Sequence, residues 1–181
     1  ALMENTPPAI KGATKMDSIE VIQDAFSRIH STLLSTLRGL TPEDLYYSPN
    51  IECNTIAWLA WHLTRVQDRH IADLAEHEQE WILGKWFEEF SQSPAPANVG
   101  FGHTPEQVQS FTLPNLDLML AYQDAVYFQS ASYLKTITPT DLDRILDEPQ
   151  YDPLPTVGVR LVSVISDNSQ HVGQMAYLRG L

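Results

Sequence analysis

The sequence predicts an all-α fold built around four long helices. In four segments, apolar residues recur at steps of three and four, which places them on one face of a helix. We find no convincing segment with the strict apolar and polar alternation that is typical of a half-buried β-strand. The 181 residues are enough for one domain with a sizeable hydrophobic core. We therefore expect a single helical domain over residues 17–181, preceded by a mobile arm over residues 1–16.

The first long helix is predicted over residues 17–37. Asp17 suits the N-cap position, and Glu20 follows three residues later, which completes the pattern of a capping box. The apolar face of this helix consists of Ile19, Ile22, Phe26, Ile29, Leu33 and Leu37. A single short helical turn is expected next, because Thr41 is a good N-cap and Pro42 suits the first helical position.

The second long helix is predicted from residue 54 or 55 to about residue 78. The segment after it, residues 84–103, loses the helical pattern and contains two Pro and three Gly. A connection of this length is unusual inside a compact domain. It is long enough to cross the end of a helix bundle, which would allow the helices on either side of it to run parallel. Thr104 then begins a short helix with a capping box.

The third and fourth long helices are predicted over residues 115–137 and 156–180. Between them, residues 138–155 are rich in Pro and Asp, so we expect a loop with at most one helical turn.

Composition limits the classes of function. The chain has 23 Asp and Glu against 11 Lys and Arg, a formal net charge of −12. A field of that sign repels phosphate groups, which disfavours nucleic acids and anionic membrane surfaces as partners. The single cysteine, Cys53, cannot form an intrachain disulfide. The first fifteen residues lack the apolar core of a signal peptide, so we expect a cytoplasmic protein.

Two polar residues interrupt the apolar face of the last helix. Asp167 and His171 stand four residues apart and therefore share one face. On a wheel at about 100° per residue, Val164, Met175 and Leu178 all lie within about 40° of His171, as Asp167 does. The pair is therefore predicted to be buried or to line an internal cavity. Buried polar groups need partners, so something has to satisfy this pair.

His62 lies at the edge of the apolar face of the second helix and could complete a group with that pair. Two imidazoles and one carboxylate suit a divalent transition metal and leave coordination positions open. The residues alone leave a second interpretation open. A buried histidine can be a hydrogen-bonded core residue, and Asp167 can serve only to orient His171.

Two blocks of this sequence resemble the DinB/YfiT-like metalloenzyme superfamily. They are "NTIAWLAWHLTRVQDRHIADL" at residues 54–74 and "SDNSQHVGQMAYLRGL" at residues 166–181. The likeness extends over most of the chain and is greatest to the branch that includes mycothiol-dependent maleylpyruvate isomerase. It implies a four-helix bundle with a long crossover connection and a divalent metal held by His62, Asp167 and His171. Many relatives carry His, and some Glu, where this chain has the shorter Asp167.

The resemblance also implies a chemistry. Relatives of known activity coordinate the sulfur of a low-molecular-weight thiol and use its thiolate as a nucleophile. We therefore expect a thiol-dependent transferase or isomerase that acts on a small electrophile. Zinc is the expected metal cofactor, and nickel or another divalent metal is the alternative. Two alternatives remain open: a hydrolase that uses metal-bound hydroxide, and a non-catalytic stress protein that binds a metal or small ligand. A homodimer is also compatible with the sequence.

Six further residues are expected in the pocket or beside the ligands: Arg65, Gln67, His70, His103, Arg160 and Gln174. The default interpretation of the two arginines is a salt bridge, but they could also meet an anionic substrate or pair with Asp167. The two glutamines could support the ligands by hydrogen bonds. His70 lies about 12 Å along the helix from His62, too far to share an ion, and is expected in the core or the cavity wall. His103 could close over the site as a lid.

Overall fold

The computed structural model describes residues 15–181 and is helical. The expected arm over residues 1–16 lies, apart from its last two residues, outside the described residues. The four long helices are α1 (Ser18–Leu37), α3 (Ile56–Ala75), α7 (Leu116–Leu134) and α8 (Val157–Arg179). The short helices are α2 (Pro42–Tyr46), α4 (Glu80–Leu83), α5 (Trp86–Glu89) and α6 (Pro105–Ser110), and a 3₁₀ turn spans Pro139–Asp143. Residues 15–181 contain no β-strand, which agrees with the predicted all-α class.

The long helices begin where the sequence places their caps. The side chain of Asp17 accepts hydrogen bonds from the backbone N–H groups of Ile19 and Glu20, at 2.8 and 2.9 Å. Side-chain oxygens cap the other three helices at the N3 backbone N–H, and they belong to Thr55, Asn115 and Thr156.

Two helices end earlier than predicted. Helix α3 stops at Ala75 because Glu76 adopts the left-handed conformation, with φ of 56°. Its backbone N–H then bonds back to carbonyls of the last turn. Helix α7 stops at Leu134 and not at residue 137, and the next residue, Lys135, is its C-cap.

The four long helices form a bundle in which α1 and α3 each pack against both α7 and α8. Two hydrogen bonds join α3 to α7. Thr64 pairs with Gln123, and Gln67, later in α3, pairs with Ser130, later in α7. These two helices therefore run parallel, as the long connection between them allows. Helix α8 runs antiparallel to α3 and is its closely packed neighbour, which brings inward side chains of the two helices together.

The core consists of two hydrophobic clusters at the two ends of the bundle. The larger one surrounds the first half of α3 and includes Trp58, Trp61 and Trp81. The smaller one joins the end of α3 to the starts of α1 and α8. None of the helices within residues 15–181 has the length and apolar character needed to cross a membrane.

Candidate metal centre

His62, Asp167 and His171 meet where α3 faces α8. Each of them offers one ligand atom such that all three atoms lie within 4.8 Å of one another. Nε2 of His171 is 3.4 Å from Oδ1 of Asp167, and the two imidazole rings are 4.9 Å apart between centroids. The two helices thus bring together the three residues that the sequence singled out, and the group could hold a metal ion.

His62 is oriented by a backbone carbonyl. Its Nδ1 makes a short hydrogen bond with the carbonyl oxygen of Val99. A carbonyl oxygen only accepts, so Nδ1 carries the proton and Nε2 keeps a free lone pair. Burial is the main cause that lowers the pKa of His62, and the neutral imidazole is the form that ligates metals.

His171 is oriented in the same way by a side chain. Its Nδ1 lies 3.0 Å from Oε1 of Gln174, which accepts the proton of that nitrogen. Nε2 is thereby directed to Asp167. Burial acts to lower the pKa of His171, but hydrogen bonds with Asp167 and Gln174 and the charge of Asp167 raise it overall. Gln174 is therefore hydrogen-bonded to His171, and its support of a metal ligand stays a prediction.

Asp167 has one carboxylate oxygen to spare. Oδ1 faces His171, whereas Oδ2 is buried and has no hydrogen-bond partner. Burial acts to raise the pKa of Asp167, but the hydrogen bond and the charge of His171 lower it overall, so the carboxylate is ionised. Nε2 of His62, the unpartnered oxygen of Asp167 and, once it has lost its proton, Nε2 of His171 form a donor set that suits a divalent transition metal. The residues present fit such an ion.

The structure corrects the predicted burial of this pair. The side chains of Asp167 and His171 are 37% and 17% exposed, so they are half-buried and not enclosed. The fully buried polar residue of α8 is the next one, Asn168, which donates to Oε1 of Gln67 at 3.0 Å. The apolar face is therefore centred on Val164, Asn168 and Val172, and the pair lies at its edge.

An open cleft of about 490 Å³ adjoins the group. His62 and Asp167 form part of its wall, and Phe101 stands at its margin. The remainder of the wall is strongly polar and includes Arg69, His70, Asp73, Glu148, Tyr151 and Arg160. A small molecule in this cleft could reach His62 and Asp167 directly.

Arg65 lies in a buried network, not in the cleft. It is fully buried, stacks over the ring of Trp81 and donates to a set of oxygens. These oxygens belong to Asp68, Gln79, Tyr122, Asn98 and Pro96. Its ion-pair partner is therefore Asp68, and the suggested pairing with Asp167 does not occur.

Gln67 is also removed from the proposed ligands. It donates to Oγ of Ser130 at 2.8 Å and accepts from Asn168, which ties α3 to α7 and α8. Its role in the structure is to satisfy polar groups within the bundle, and it does not contact the three-residue group.

His70 and Arg160 form part of the cleft wall. Arg160 makes an ion pair with Glu148 and lies 3.2 Å from Nδ1 of His70. Burial, followed by the charges of Arg160 and Arg69, lowers the pKa of His70 to about 4, so its imidazole is neutral at physiological pH. The structure thus places His70 as a cavity-wall residue, and Arg160 pairs with Glu148 instead of Asp167.

His103 is held within the long connection. Its Nδ1 accepts a hydrogen bond from Nε1 of Trp58 at 3.1 Å, and its ring stacks on Trp61. Burial lowers its pKa, so the neutral ring can accept this bond. His103 does not belong to the three-residue group.

One part of the long connection contacts His62, and no sequence pattern described above indicates it. We call residues 96–100 the strap, because their backbone lies across α3. Gly100 has φ of 87°, and a side-chain carbon at this position would lie 2.8 Å from Trp61 and 3.2 Å from Nδ1 of His62. Only glycine suits both the conformation and the space. The glycine-rich "VGFG" at residues 99–102 was the available signal.

Comparisons with known proteins agree with this architecture. The structure is similar to the crystal structure of a conserved protein from Enterococcus faecalis, with 28% sequence identity and a TM-score of 0.82. The match covers 91% of this chain and 96% of the other. No curated protein sequence gives a significant match. The model of the DinB superfamily matches residues 25–175, and the maleylpyruvate isomerase branch is not confirmed. The chain belongs to the DinB superfamily.

Proposed function

We propose that this protein binds a divalent metal ion through His62, Asp167 and His171 and serves as a thiol-dependent transferase or isomerase for a small electrophile. The observation that carries the metal site is the hydrogen bonding of the three residues. Each histidine has its Nδ1 occupied by an acceptor, and Asp167 has a buried oxygen with no partner. This is the arrangement that supports histidine ligands in metal sites.

A divalent ion held here would lower the pKa of a thiol or a water molecule bound beside it. The protein's own residues would fix the two ligating nitrogens and supply a negative charge on Asp167. The cleft would admit and orient the small molecule. Three protein ligands leave positions for that molecule.

The choice of a thiol-dependent reaction rests on the resemblance of the two sequence blocks to the maleylpyruvate isomerase branch. The open cleft is compatible with it, because a thiol and an electrophile have to reach the same point. Zinc is the proposed metal, since two imidazoles and one carboxylate form a common zinc-binding set.

Metal analysis tests the site. Protein purified without chelators is expected to carry about one divalent ion per chain, and His171→Ala should lose it. His77→Ala is the matched control, because His77 is exposed and lies outside the group. Wild-type protein that neither carries nor takes up a divalent ion would contradict the proposal.

Cobalt substitution tests the chemistry. Thiol added to the cobalt-loaded protein should produce the charge-transfer absorption of a cobalt–sulfur bond. A loaded protein whose spectrum does not respond to any thiol, but which hydrolyses ester or amide substrates, would identify a hydrolase instead.

A further inference from the structure

We propose that the cleft beside the metal-ligand group binds a carboxylate or similar anionic group of its small-molecule ligand on Arg69. The inference rests on the proposed function and names the class of molecule that the site takes: a small acid whose charged end lies away from the metal.

The placement of Arg69 on α3 is the first support. Arg69 and His62 are seven residues apart, which is two helical turns, so they share one face. Both line the same cleft. Their levels on the helix differ by roughly 10 Å. A ligand of several bonds could therefore contact the metal-ligand group at one end and the guanidinium at the other.

The charges of the cleft are the second support. Arg160 is already engaged, because it pairs with Glu148 and contacts His70. In contrast, the side chain of Arg69 makes no hydrogen bond or ion pair within residues 15–181, although the residue is only half exposed. A guanidinium without a partner in a cleft is a site for a carboxylate, which it can bind through two parallel hydrogen bonds.

Asp73 is the competing partner for Arg69. It stands one turn further along α3 and also lines the cleft, yet it does not approach within ion-pair distance in the structure. Burial raises the pKa of Asp73, and the charge of Arg69 opposes that rise only in part. Asp73 would therefore weaken anion binding by its charge without blocking the guanidinium. Removal of the Asp73 charge should therefore strengthen anion binding, whereas removal of the Arg69 charge should weaken it.

Phe101 suggests what joins the two ends of the ligand. Its side chain is 92% exposed at the margin of the cleft, between two glycines with positive φ. Because an exposed aromatic ring contributes free energy only when an apolar surface covers it, we expect a hydrocarbon segment between the two polar ends of the ligand.

Two thiols that differ only at the far end test the proposal. Mercaptohexanoate and mercaptohexanol are titrated calorimetrically into zinc-loaded protein. The carboxylate should bind about tenfold more tightly than the alcohol, as expected for a charge-assisted hydrogen bond. In Arg69→Gln this preference should disappear, whereas in Asp73→Asn it should increase. Binding of the alcohol should be the same in all three proteins.

Conservative variants and a third ligand complete the design. Arg69→Lys keeps the charge and should retain part of the preference, which separates loss of charge from loss of packing. Hexanoate is titrated into protein saturated with mercaptoethanol. If hexanoate binds in a way that depends on Arg69 while the two long thiols bind equally, that result would place the carboxylate on the electrophile and not on the thiol.

Different failures have different meanings. If both thiols bind equally in wild-type protein and hexanoate does not bind, the proposal for Arg69 is wrong and the thiol-dependent function stands. A preference that survives in Arg69→Gln also overturns it. If neither thiol binds to metal-loaded protein, the proposed function itself fails, and this inference fails with it.

Discussion

Helix α3 carries two polar clusters that differ in how completely they are satisfied. The cluster around Arg65 is fully buried, and Asp68 within it accepts hydrogen bonds from Tyr122 and from the backbone N–H groups of Glu80 and Trp81. The cluster around His62, one turn away, is half-exposed and leaves a carboxylate oxygen without a partner. Complete satisfaction is typical of polar groups that stabilise a fold, whereas an unpartnered oxygen at the edge of a cleft is free to bind a ligand.

The strap connects the two clusters. Arg65 donates to the carbonyls of Pro96 and Asn98, and the next carbonyl, that of Val99, accepts from His62. The buried network therefore holds the backbone that orients a proposed metal ligand. From this contrast we expect that changes in the first cluster alter stability, and that changes in the second alter metal binding.

The largest expected effect is the removal of Arg65. Arg65→Met leaves the charge of Asp68 buried and unpaired, which should reduce the free energy of unfolding by about 3 kcal/mol or more. Urea denaturation at neutral pH measures it. Arg28→Met is the control: Arg28 pairs with Asp24 on the exposed face of α1, and its loss should leave the unfolding midpoint unchanged within error. Equal midpoints for the two variants would remove the distinction between the clusters.

His70 should make stability depend on pH. The pKa of His70 is about 4 in the folded protein, whereas a histidine in water has a pKa of 6.5. The unfolded chain therefore binds the proton first as pH falls. Stability from the neutral imidazole is complete above pH 6.5 and is lost as pH falls to about 4, by about 3 kcal/mol. Denaturation midpoints of wild type and His70→Gln across this range isolate the contribution. Parallel pH profiles would show that His70 is not the cause.

Gly100→Ala tests the strap directly. The positive φ and the contacts with Trp58, Trp61 and His62 leave no room for a methyl group. We expect a loss of about 1 to 2 kcal/mol in stability together with weaker zinc binding, because the carbonyl of Val99 would move away from His62. Gly102→Ala is the control, since it shares a positive φ but has open space around it. If both variants bind zinc equally, the strap does not position the ligand.

The smallest effect on stability is expected for Gln174→Leu. Gln174 is exposed, so the fold should tolerate the change, but Nδ1 of His171 loses its acceptor. Zinc affinity should fall by about tenfold while the melting temperature of the metal-free protein stays the same. A lower melting temperature with unchanged zinc affinity would show that Gln174 stabilises the fold and does not support the ligand His171.

Features of the structure that depend on contacts between neighbours in the sequence could be predicted, and features that depend on distant residues could not. The start of α1 is fixed by the local bonds of Asp17, and the sequence therefore indicates it directly. The end of α3 was missed because Glu76, not a glycine, takes the left-handed conformation.

The proximity of Asp167 and His171 could be predicted because the two residues stand four apart on one helix, about one helical turn. The burial of Asn168 could not, since it depends on Gln67, a partner more than one hundred residues away. Arg65 was placed in the wrong surroundings for the same reason. Its partners Gln79 and Tyr122 come from other segments, and no local pattern points to them.

Calorimetric titration of zinc into chelator-treated wild type and Asp167→Asn tests the central claim most directly. The substitution preserves shape and removes the charge of the oxygen that lacks a partner. We predict about one site per chain in wild type, weakened about tenfold or more in the variant, with the metal-free variant still folded. Equal zinc affinity in the two proteins would contradict the account.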